Sequence, residues 1–488
     1  MKALLAGELV DPAPLGYEIE GRWHLAAVAV GPNVCSSLRG LSARLDSLIL
    51  VVEEGGCAWG WIGAGRKLDA SSGPFARRLE RVVRGLLDEG PVVAVHGART
   101  VGKSTMMRAL AVSAGRSVVD LDDLETRGAV DTSPAAFAAA EPPVFIDEYQ
   151  HAPAILDAIK AELNRDLRPG RFVLTGSTRY SSLPTAQSLT GRLHVVTLWP
   201  LSQGELDGVE EGFAERLLTD PATLVEPAAS ATPREEYAER ILRGGFPLAV
   251  ARRSDTGRNR WFDDYLRLVI ERDVAELSSI RQREKMPRLV ARLSSQTGQV
   301  LNVARVAADV GIESSTAEHY VRLLEAAFVL HRLPAWGTTL RARASSKPKV
   351  HFVDSGVAGR MLRVTASRLA AAHPQAMTEL GHLLETFCVG EVIKQIGWME
   401  TPAQAGHWRT HDGDEVDLVL ERDDGAVAAI EVKAGERVRD ADFRSLRKLR
   451  DALGARYLGG VVLHLGRHAY TYEDRLHALP VSRLWLAA

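Results

Sequence analysis

Short apolar runs alternate with helical stretches over residues 91–198, and this alternation predicts a parallel α/β sheet. Each run has three or four residues, as expected for a short buried strand. The runs are Val92–Val95, Ser117–Asp120, Val144–Ile146, Phe172–Thr175 and His194–Thr197. Because α/β sheets bind ligands at the carboxyl ends of their strands, we expect the functional side chains in the loops that follow these runs.

Residues 1–70 show a different pattern, which predicts a small α+β unit. It has three apolar runs, His24–Val30, Leu48–Val52 and Ala58–Ile62, and a helical stretch at Ser36–Arg44. The run GYEIEGRWHLAAVAVGP…LILVVEEGGCAWGWIG resembles the sensor-like N-terminal region of purine-catabolism-type transcription regulators of actinobacteria. An unrelated small capping domain is the alternative. No site residue is predicted in this unit.

A glycine-rich loop between a strand and a helix carries the strongest chemical signal. The octapeptide GARTVGKS fits the pattern G-x-x-x-x-G-K-[ST]. Gly97 and Gly102 let backbone N–H groups wrap phosphates, Lys103 can neutralise the β- and γ-phosphates, and Ser104 can bind Mg²⁺. Thr105 opens the helix and is placed with them among the nucleotide-binding residues. The loop therefore predicts a site for ATP and Mg²⁺.

Two acidic residues at the end of a later strand complete this predicted site. Asp147 and Glu148 directly follow the apolar run PVFI. In such a position Asp147 would orient the Mg²⁺ shell and Glu148 would activate water. A third strand ends at Ser177, whose hydroxyl can sense the γ-phosphate; a plain strand-to-loop turn is the alternative.

Four stretches together resemble the AAA-type ATPases of bacteria and archaea that carry a C-terminal DUF4143 domain. They are VVAVHGARTVGKST, PVFIDEYQHAPAILDAIK, RFVLTGST and SLTGRLHVVTLWPLSQGEL, and the match runs from about Pro74 to the end of the chain. The resemblance implies an additional-strand, catalytic-glutamate P-loop fold with Ser177 in the sensor position. It also implies that Arg192 stabilises the transferred phosphate charge, in cis or in trans. A surface arginine is the alternative for Arg192.

Helix-turn-helix spacing coincides with an excess of positive charge in the middle of the chain. Asn302 can cap one helix, and Ser314 or Ser315 can cap a second helix that reaches Leu330. Residues 281–349 contain twelve Lys or Arg and five Asp or Glu, so the segment has a charge of +7. A basic winged-helix surface can bind DNA phosphates. Packing against protein is the alternative, and both stay open.

Acidic residues in the last region match those of a metal-dependent phosphodiesterase. The stretch HWRTHDGDEVDLVLERDDGAVAAIEVKAG predicts a strand with Asp417 and a second strand with Glu431 and Lys433 on one face. It resembles the PD-(D/E)xK nuclease core, with Glu385 at the helical acidic position and Val416 in place of the proline. The resemblance implies Mg²⁺ at Glu385, Asp417 and Glu431, beside Lys433. A nuclease-like fold without turnover is the alternative.

Composition and charge narrow the function classes. The chain of 488 residues is 46% hydrophobic and 25% charged, which is typical of a folded protein. Its net charge of −2 means that any DNA contact must come from a local patch. Cys35, Cys57 and Cys388 favour neither a disulfide framework nor a zinc site, so we expect a cytoplasmic protein. No apolar run approaches the roughly 20 residues of a membrane span.

The predicted architecture is α/β and multidomain. Its segments are a small α+β unit (1–70), a P-loop ATPase domain with a parallel sheet (71–205), a helical lid or linker (206–280), a winged-helix-like domain (281–348) and a nuclease-like α/β domain (349–488). The predicted function is ATP hydrolysis that switches a DNA-associated module, with ATP, duplex DNA and a protein as candidate partners. The alternative is a regulatory protein that binds ATP without hydrolysing it.

Overall fold

The structure is a computed structural model, and it divides the chain into two compact units, Met1–Ala76 and Arg77–Ala488. The described residues are 23–30, 48–54, 57–64, 75–179, 189–274, 282–337, 339, 347–371 and 374–486. The predicted helix at Ser36–Arg44 lies outside them. In this described part, no helix is both long enough and apolar enough to cross a membrane.

The first unit contains an antiparallel sheet of three strands. These are β1 (Trp23–Val30), β2 (Leu48–Glu54) and β3 (Cys57–Ala64). The central strand is β3, which pairs with β1 on one side and with β2 on the other. All three predicted strands of this unit are confirmed.

A five-stranded parallel sheet opens the second unit. Its strands are β4 (Val92–His96), β5 (Val118–Asp120), β6 (Val144–Asp147), β7 (Phe172–Gly176) and β8 (Leu193–Thr197). They lie in the order β5-β6-β7-β4-β8, and every neighbouring pair is parallel. The predicted parallel sheet is therefore confirmed. Strand β7 lies between β4 and β6, as the additional strand that the resemblance implied.

Helices cover both faces of this sheet because successive side chains of a buried strand point in opposite directions. The helices are α1 (Leu79–Glu89), α2 (Lys103–Ser113), α3 (Leu124–Thr132), α4 (Pro134–Ala138) and α5 (Ala154–Arg165). From β4, Val93 and Val95 enter the core that includes α1 and α2. Val92 and Ala94 enter a second core with α5.

A helical segment follows the sheet. It contains α6 (Gln203–Asp207), α7 (Phe213–Thr219), α8 (Arg234–Arg243), α9 (Pro247–Val250) and α10 (Asp255–Leu268). The Gly and Pro content of residues 207–235 predicts a loop or an inserted lid. In the structure, residues 225–233 are irregular, but Phe213, Leu217 and Leu218 of α7 are buried in the main core, so residues 213–219 are helical and packed.

The next segment alternates helices and short strands, and we call it the middle module. It contains α11 (Met286–Ser294), β9 (Gln299–Val300), α12 (Val303–Val310), α13 (Ser314–Ala326), β10 (Leu330–Leu333) and β11 (Lys349–Phe352). The three strands form a sheet in the order β10-β11-β9.

In the middle module, the predicted start of α12 is confirmed, whereas both predicted ends of α13 are wrong. The Asn302 side chain caps α12 by accepting a hydrogen bond from the Arg305 backbone, as predicted. The predicted serine cap of α13 is wrong, because the helix begins at Ser314 itself. Its predicted end at Leu330 is also wrong, because Phe328 has a φ of 56° and turns the chain out of the helix.

A second α/β sheet completes the chain. The helices are α14 (Ser355–Met361), α15 (Ala366–Ala370), α16 (Pro374–Ile396) and α17 (Arg444–Leu453). The strands are β12 (Ala403–Arg409), β13 (Glu415–Arg422), β14 (Val427–Lys433), β15 (Tyr457–His464), β16 (Tyr470–Glu473) and β17 (Leu476–Pro480). Their order is β12-β13-β14-β15-β17-β16, with β14, β15 and β17 parallel and the outer pairings antiparallel.

Buried polar groups join α6, which follows the five-stranded parallel sheet, to α16 of the C-terminal six-stranded sheet region. The backbone N–H of Gln203 in α6 donates to the Glu391 carboxylate of α16 at 2.7 Å. Beside it, the Ser202 hydroxyl donates to the Glu211 carboxylate. Glu211 is 2% exposed, and burial raises the pKa of its carboxyl to about 7. Glu211 is therefore a buried acid that titrates near neutral pH.

Replacing Glu211 by glutamine is expected to weaken the pH dependence of stability. As the pH rises from about 4.5, the unfolded chain loses the Glu211 proton before the folded protein does. The stabilisation that Glu211 adds to the free energy of unfolding is therefore complete below that pH. It is lost as the pH rises through 7, by up to roughly 3 kcal/mol. Urea unfolding at pH 5 and pH 8 measures the difference. An unchanged difference in Glu211→Gln would show that Glu211 does not titrate in this range.

Candidate functional site

The glycine-rich loop connects β4 to α2, and two of its positions require glycine. A Cβ atom on Gly97 would lie 2.2 Å from the carbonyl oxygen of Leu198, which no side chain tolerates. Gly102 has a φ of 102°, in the region that favours glycine. The loop therefore lies close to the chain after β8 and leads directly into the N-terminus of α2. The first N–H groups of a helix have no partner within the helix and can bind phosphate.

The Lys103 side chain folds back into this loop. It is 4% exposed, and its Nζ donates to the carbonyl oxygens of Gly97 and Ala98, both at 3.1 Å. The same ammonium lies 3.6 Å from the Glu148 carboxylate. Burial lowers the pKa of Lys103, and the carboxylates of Glu148 and Asp147 act in the opposite direction. The lysine is thus placed between the loop and the acidic pair.

Asp147 ends β6 at the carboxyl edge of the sheet. Its carboxylate accepts hydrogen bonds from the hydroxyl of Thr175 on the adjacent β7 and from the hydroxyl of Ser104. Burial raises the pKa of Asp147, although both hydrogen bonds oppose this shift. Ser104 and Asp147 therefore lie side by side. A hydroxyl and a carboxylate are oxygen ligands that suit Mg²⁺, so these two residues fit the predicted ion.

Glu148 is held in an unusual backbone conformation. Its φ of 52° is left-handed, which costs free energy in a residue other than glycine, and such strain is concentrated at functional sites. The Gln150 amide donates to the Glu148 carboxylate and also to the Ser177 hydroxyl, at 3.1 Å. Burial raises the pKa of Glu148, but Lys103 and the Gln150 hydrogen bond outweigh it and hold the pKa below its ordinary value. The carboxylate is therefore ionised at neutral pH.

The remaining predicted residues of this site lie at different distances from the loop. Ser177 follows β7 and is joined to Glu148 through Gln150, and Thr105 lies beside Ser104 on the exposed side of α2. Arg192 precedes β8 and therefore lies at the opposite, amino edge of the sheet. Its guanidinium donates to the Asn164 side chain at 2.7 Å. The structure does not bring Arg192 to the phosphate loop of its own chain, and a role in trans stays a prediction.

The predicted nuclease-like residues are placed around two lysines. Lys349, the first residue of β11, is 1% exposed, and its ammonium lies 2.8 Å from Glu385, 2.9 Å from Asp417 and 2.6 Å from Glu415. The structure therefore brings Glu385 and Asp417 together, as predicted, but around an ammonium group.

Glu431 and Lys433 pair with each other on β14. Their side chains are 2.5 Å apart, and the second Asp417 oxygen accepts a hydrogen bond from the Val432 backbone at 2.9 Å. With Lys349 in place, no three or more His, Cys, Asp or Glu side chains of the described residues could hold a metal ion together. The Mg²⁺ predicted at Glu385, Asp417 and Glu431 does not fit this arrangement, because a lysine already satisfies two of its ligands.

Family models match three consecutive parts of the chain. Residues 89–207 match an AAA domain. An AAA domain is thus present. Residues 234–368 match a domain of unknown function, DUF8612, and residues 380–484 match a second domain of unknown function, DUF4143. The AAA domain contains the phosphate loop and the acidic pair, and the DUF4143 region contains Glu385, Asp417 and Glu431.

Similar proteins are found among both curated sequences and solved structures. Uncharacterized proteins of Mycobacterium bovis and Mycobacterium tuberculosis are each 26% identical over 411 residues, which are 84% of this chain and 83% of theirs. A Walker-type ATPase of Pyrococcus abyssi is 16% identical with a TM-score of 0.35, covering 58% of this chain and 94% of its own. AMPPCP-bound DnaA of Aquifex aeolicus is 12% identical with a TM-score of 0.24, covering 50% and 86%.

Sequence reasoning missed two residues that shape the AAA domain site. Gln150 lies in the same stretch as the acidic pair, and its hydrogen bonds to Glu148 and Ser177 could have been suspected from its position two residues after the glutamate. Arg77 precedes the sheet, and its guanidinium donates to the Val101 carbonyl of the phosphate loop at 2.8 Å. No local signal links Arg77 to a loop 24 residues away.

The positive charge of the middle module is partly neutralised within the protein. Arg332 is paired with Glu318 and Glu325 at 2.8 Å, and Arg292 is paired with Asp309 at 2.6 Å. Lys349 is buried among carboxylates.

Other cations of this segment have a different placement. Arg305 and Arg322 are exposed, whereas Arg281, Arg341 and Arg343 lie outside the described residues. The charge presented to solvent by the described part is therefore smaller than the sequence count of +7.

Proposed function

We propose that this protein binds ATP with Mg²⁺ in the AAA domain and hydrolyses it, with Glu148 as the general base. The observation that carries the proposal is the convergence of Lys103, Asp147 and Glu148. All three side chains are buried at the carboxyl edge of the sheet, beside the phosphate loop. Phosphoryl transfer needs a phosphate cradle, a metal ligand and a group that positions water, and these residues supply all three.

Each residue has one task in the proposed reaction. The N–H groups of the loop and of α2 bind the phosphates, and the Lys103 ammonium exchanges its loop carbonyls for phosphate oxygens. Ser104 and Asp147 would hold Mg²⁺, which neutralises phosphate charge when bound. Glu148 takes a proton from water as the water oxygen bonds to the γ-phosphorus and the bond to the ADP oxygen breaks. Gln150 and Ser177 fix the Glu148 carboxylate.

Phosphate release by the full chain tests this proposal. We expect release from ATP that requires Mg²⁺ and stops when EDTA removes it. The alternative is that ATP is a ligand whose binding alone orders the rest of the chain. Binding of ATP without phosphate release, with or without duplex DNA, would favour the ligand and contradict hydrolysis.

We further propose that the middle module is a winged helix that binds duplex DNA. The order helix, strand, two helices and two strands in α11 to β11 supports this assignment, and so does the exposure of Arg305 and Arg322. A contact between the chain after Ser177 and α13 also supports a switch of this module by the nucleotide state. Arg179 follows Ser177 by two residues and contacts the end of α13. Its backbone N–H donates to the Ala326 carbonyl at 3.1 Å, and its guanidinium donates to the Glu325 carbonyl at 3.0 Å.

Reversing the charge of Arg305 and Arg322 is expected to reduce the salt dependence of duplex binding. Each phosphate contact releases about one counterion, so the slope of log K against log [salt] should fall in magnitude by roughly 2 in the double Arg→Glu variant. Fluorescence anisotropy over a salt series measures this slope. Arg252→Glu with Arg253→Glu, an exposed pair outside the module, is the matched control. An absence of binding at low salt would assign the module to protein contact.

A further inference from the structure

The carboxylate cluster of the DUF4143 region is paired with a lysine from the middle module. Lys349 belongs to β11 of the middle module, whereas its partners Glu385, Glu415 and Asp417 belong to α16 and β13. An ammonium group has three donors, and three carboxylates lie within 2.9 Å of it. Its capacity for hydrogen bonds is therefore complete, and the cluster is closed.

Other contacts at the same junction show that the cluster joins two elements. The Trp336 backbone donates to the His407 carbonyl at 2.6 Å, and the His407 backbone donates to the Pro334 carbonyl at 2.9 Å. The segment between β10 and β11 is thus hydrogen-bonded to β12 of the second sheet. Lys349 anchors the next strand of the middle module to the same sheet.

A divalent cation and the Lys349 ammonium compete for the same carboxylates. To admit a cation, the lysine would have to leave Glu385 and Asp417, and its charge is 1% exposed. A buried charge that loses its partner is strongly destabilising, so the closed form is favoured. Without the lysine, the three carboxylates would repel one another and would take a cation from solution.

We propose that Lys349 occupies the position of the metal ion in the DUF4143 region, so that this site is a metal-independent lock between the middle module and the second sheet. The lock does not depend on ATP hydrolysis. The three carboxylates are then a latent metal site: removing the lysine side-chain charge should open it to Mn²⁺ or Mg²⁺.

Thermal unfolding of the nucleotide-free full chain, with and without Mn²⁺, tests the lock. Wild type should show no Mn²⁺-dependent change in Tm. Lys349→Met should lower Tm by roughly 5–10 °C, as for a broken buried ion pair, and Mn²⁺ should restore much of this loss. Lys347→Met, an exposed lysine two residues earlier, is the matched control and should behave as wild type.

Two results would overturn the proposal. One is a wild-type Tm that rises by several degrees with Mn²⁺ and loses this response in Asp417→Asn, because the lysine would then give way to a metal. The other is a folded Lys349→Met variant that Mn²⁺ does not stabilise. If Lys349→Met does not fold, Mn²⁺ counting by electron paramagnetic resonance on wild type and Asp417→Asn decides. An equal number of bound ions in both proteins supports the lock, and one ion lost in Asp417→Asn contradicts it.

Discussion

Replacing Glu148 by glutamine is expected to stop ATP hydrolysis while ATP binding persists. The amide keeps the size of the side chain and can still meet Gln150, but it cannot take a proton from water. Loss of a general base lowers the rate by roughly 10²–10⁴-fold. Phosphate release at saturating Mg²⁺ and ATP measures the rate, and calorimetric titration with a non-hydrolysable ATP analogue measures the binding.

The control for this variant is another acid that cannot reach the site. Glu125 in the first turn of α3 is exposed, so Glu125→Gln should hydrolyse ATP as wild type does. Hydrolysis by Glu148→Gln at the wild-type rate would show that another group activates water.

Replacing Lys103 by alanine is expected to weaken ATP binding itself. The ammonium is the buried cation beside the loop, and a hydrogen bond to a charged group contributes about 1.5–3 kcal/mol, so the dissociation constant should rise roughly 10–150-fold. The variant also leaves the Glu148 carboxylate beside the loop without the cation that lies 3.6 Å away. That carboxylate repels phosphate, which acts in the same direction.

Lys103→Ala and Glu148→Gln should therefore lose different steps of the reaction. Lys103→Ala should lose binding, and Glu148→Gln should lose turnover at full occupancy. Calorimetry with the non-hydrolysable analogue separates them, and Lys160→Ala, an exposed lysine on α5, is the matched control for the loss of a positive charge. If Lys103→Ala bound the analogue with wild-type affinity, Lys103 would not be a phosphate ligand.

The phosphate site could be predicted because its parts are local. Gly97, Gly102 and Lys103 lie in one loop, and the acidic pair follows a strand whose apolar pattern is plain. Parallel strands bring their carboxyl ends to one edge, so the sequence placed Asp147 and Glu148 beside the loop without any distance being known. The same rule places Arg192 at the other edge, because it precedes its strand instead of following it.

The features that the sequence could not predict depend on distant parts of the chain. Lys349 lies 36 residues from Glu385 and 68 from Asp417, and no periodicity connects a strand of the middle module with a carboxylate cluster of the second sheet. The helix at 213–219 was missed because the Gly and Pro content of residues 207–235 is typical of loops, whereas Phe213 and its buried neighbours decide the packing there. Tertiary burial overrode local composition there.

The nucleotide that remains bound after incubation with Mg²⁺ and ATP shows whether the chain hydrolyses ATP with Glu148 as the base. Chromatography of nucleotide extracted from the full chain identifies it, in wild type and in Glu148→Gln side by side. We expect ADP on wild type and intact ATP on Glu148→Gln. Intact ATP on both proteins would contradict hydrolysis, and ADP formed equally by both would contradict the role of Glu148.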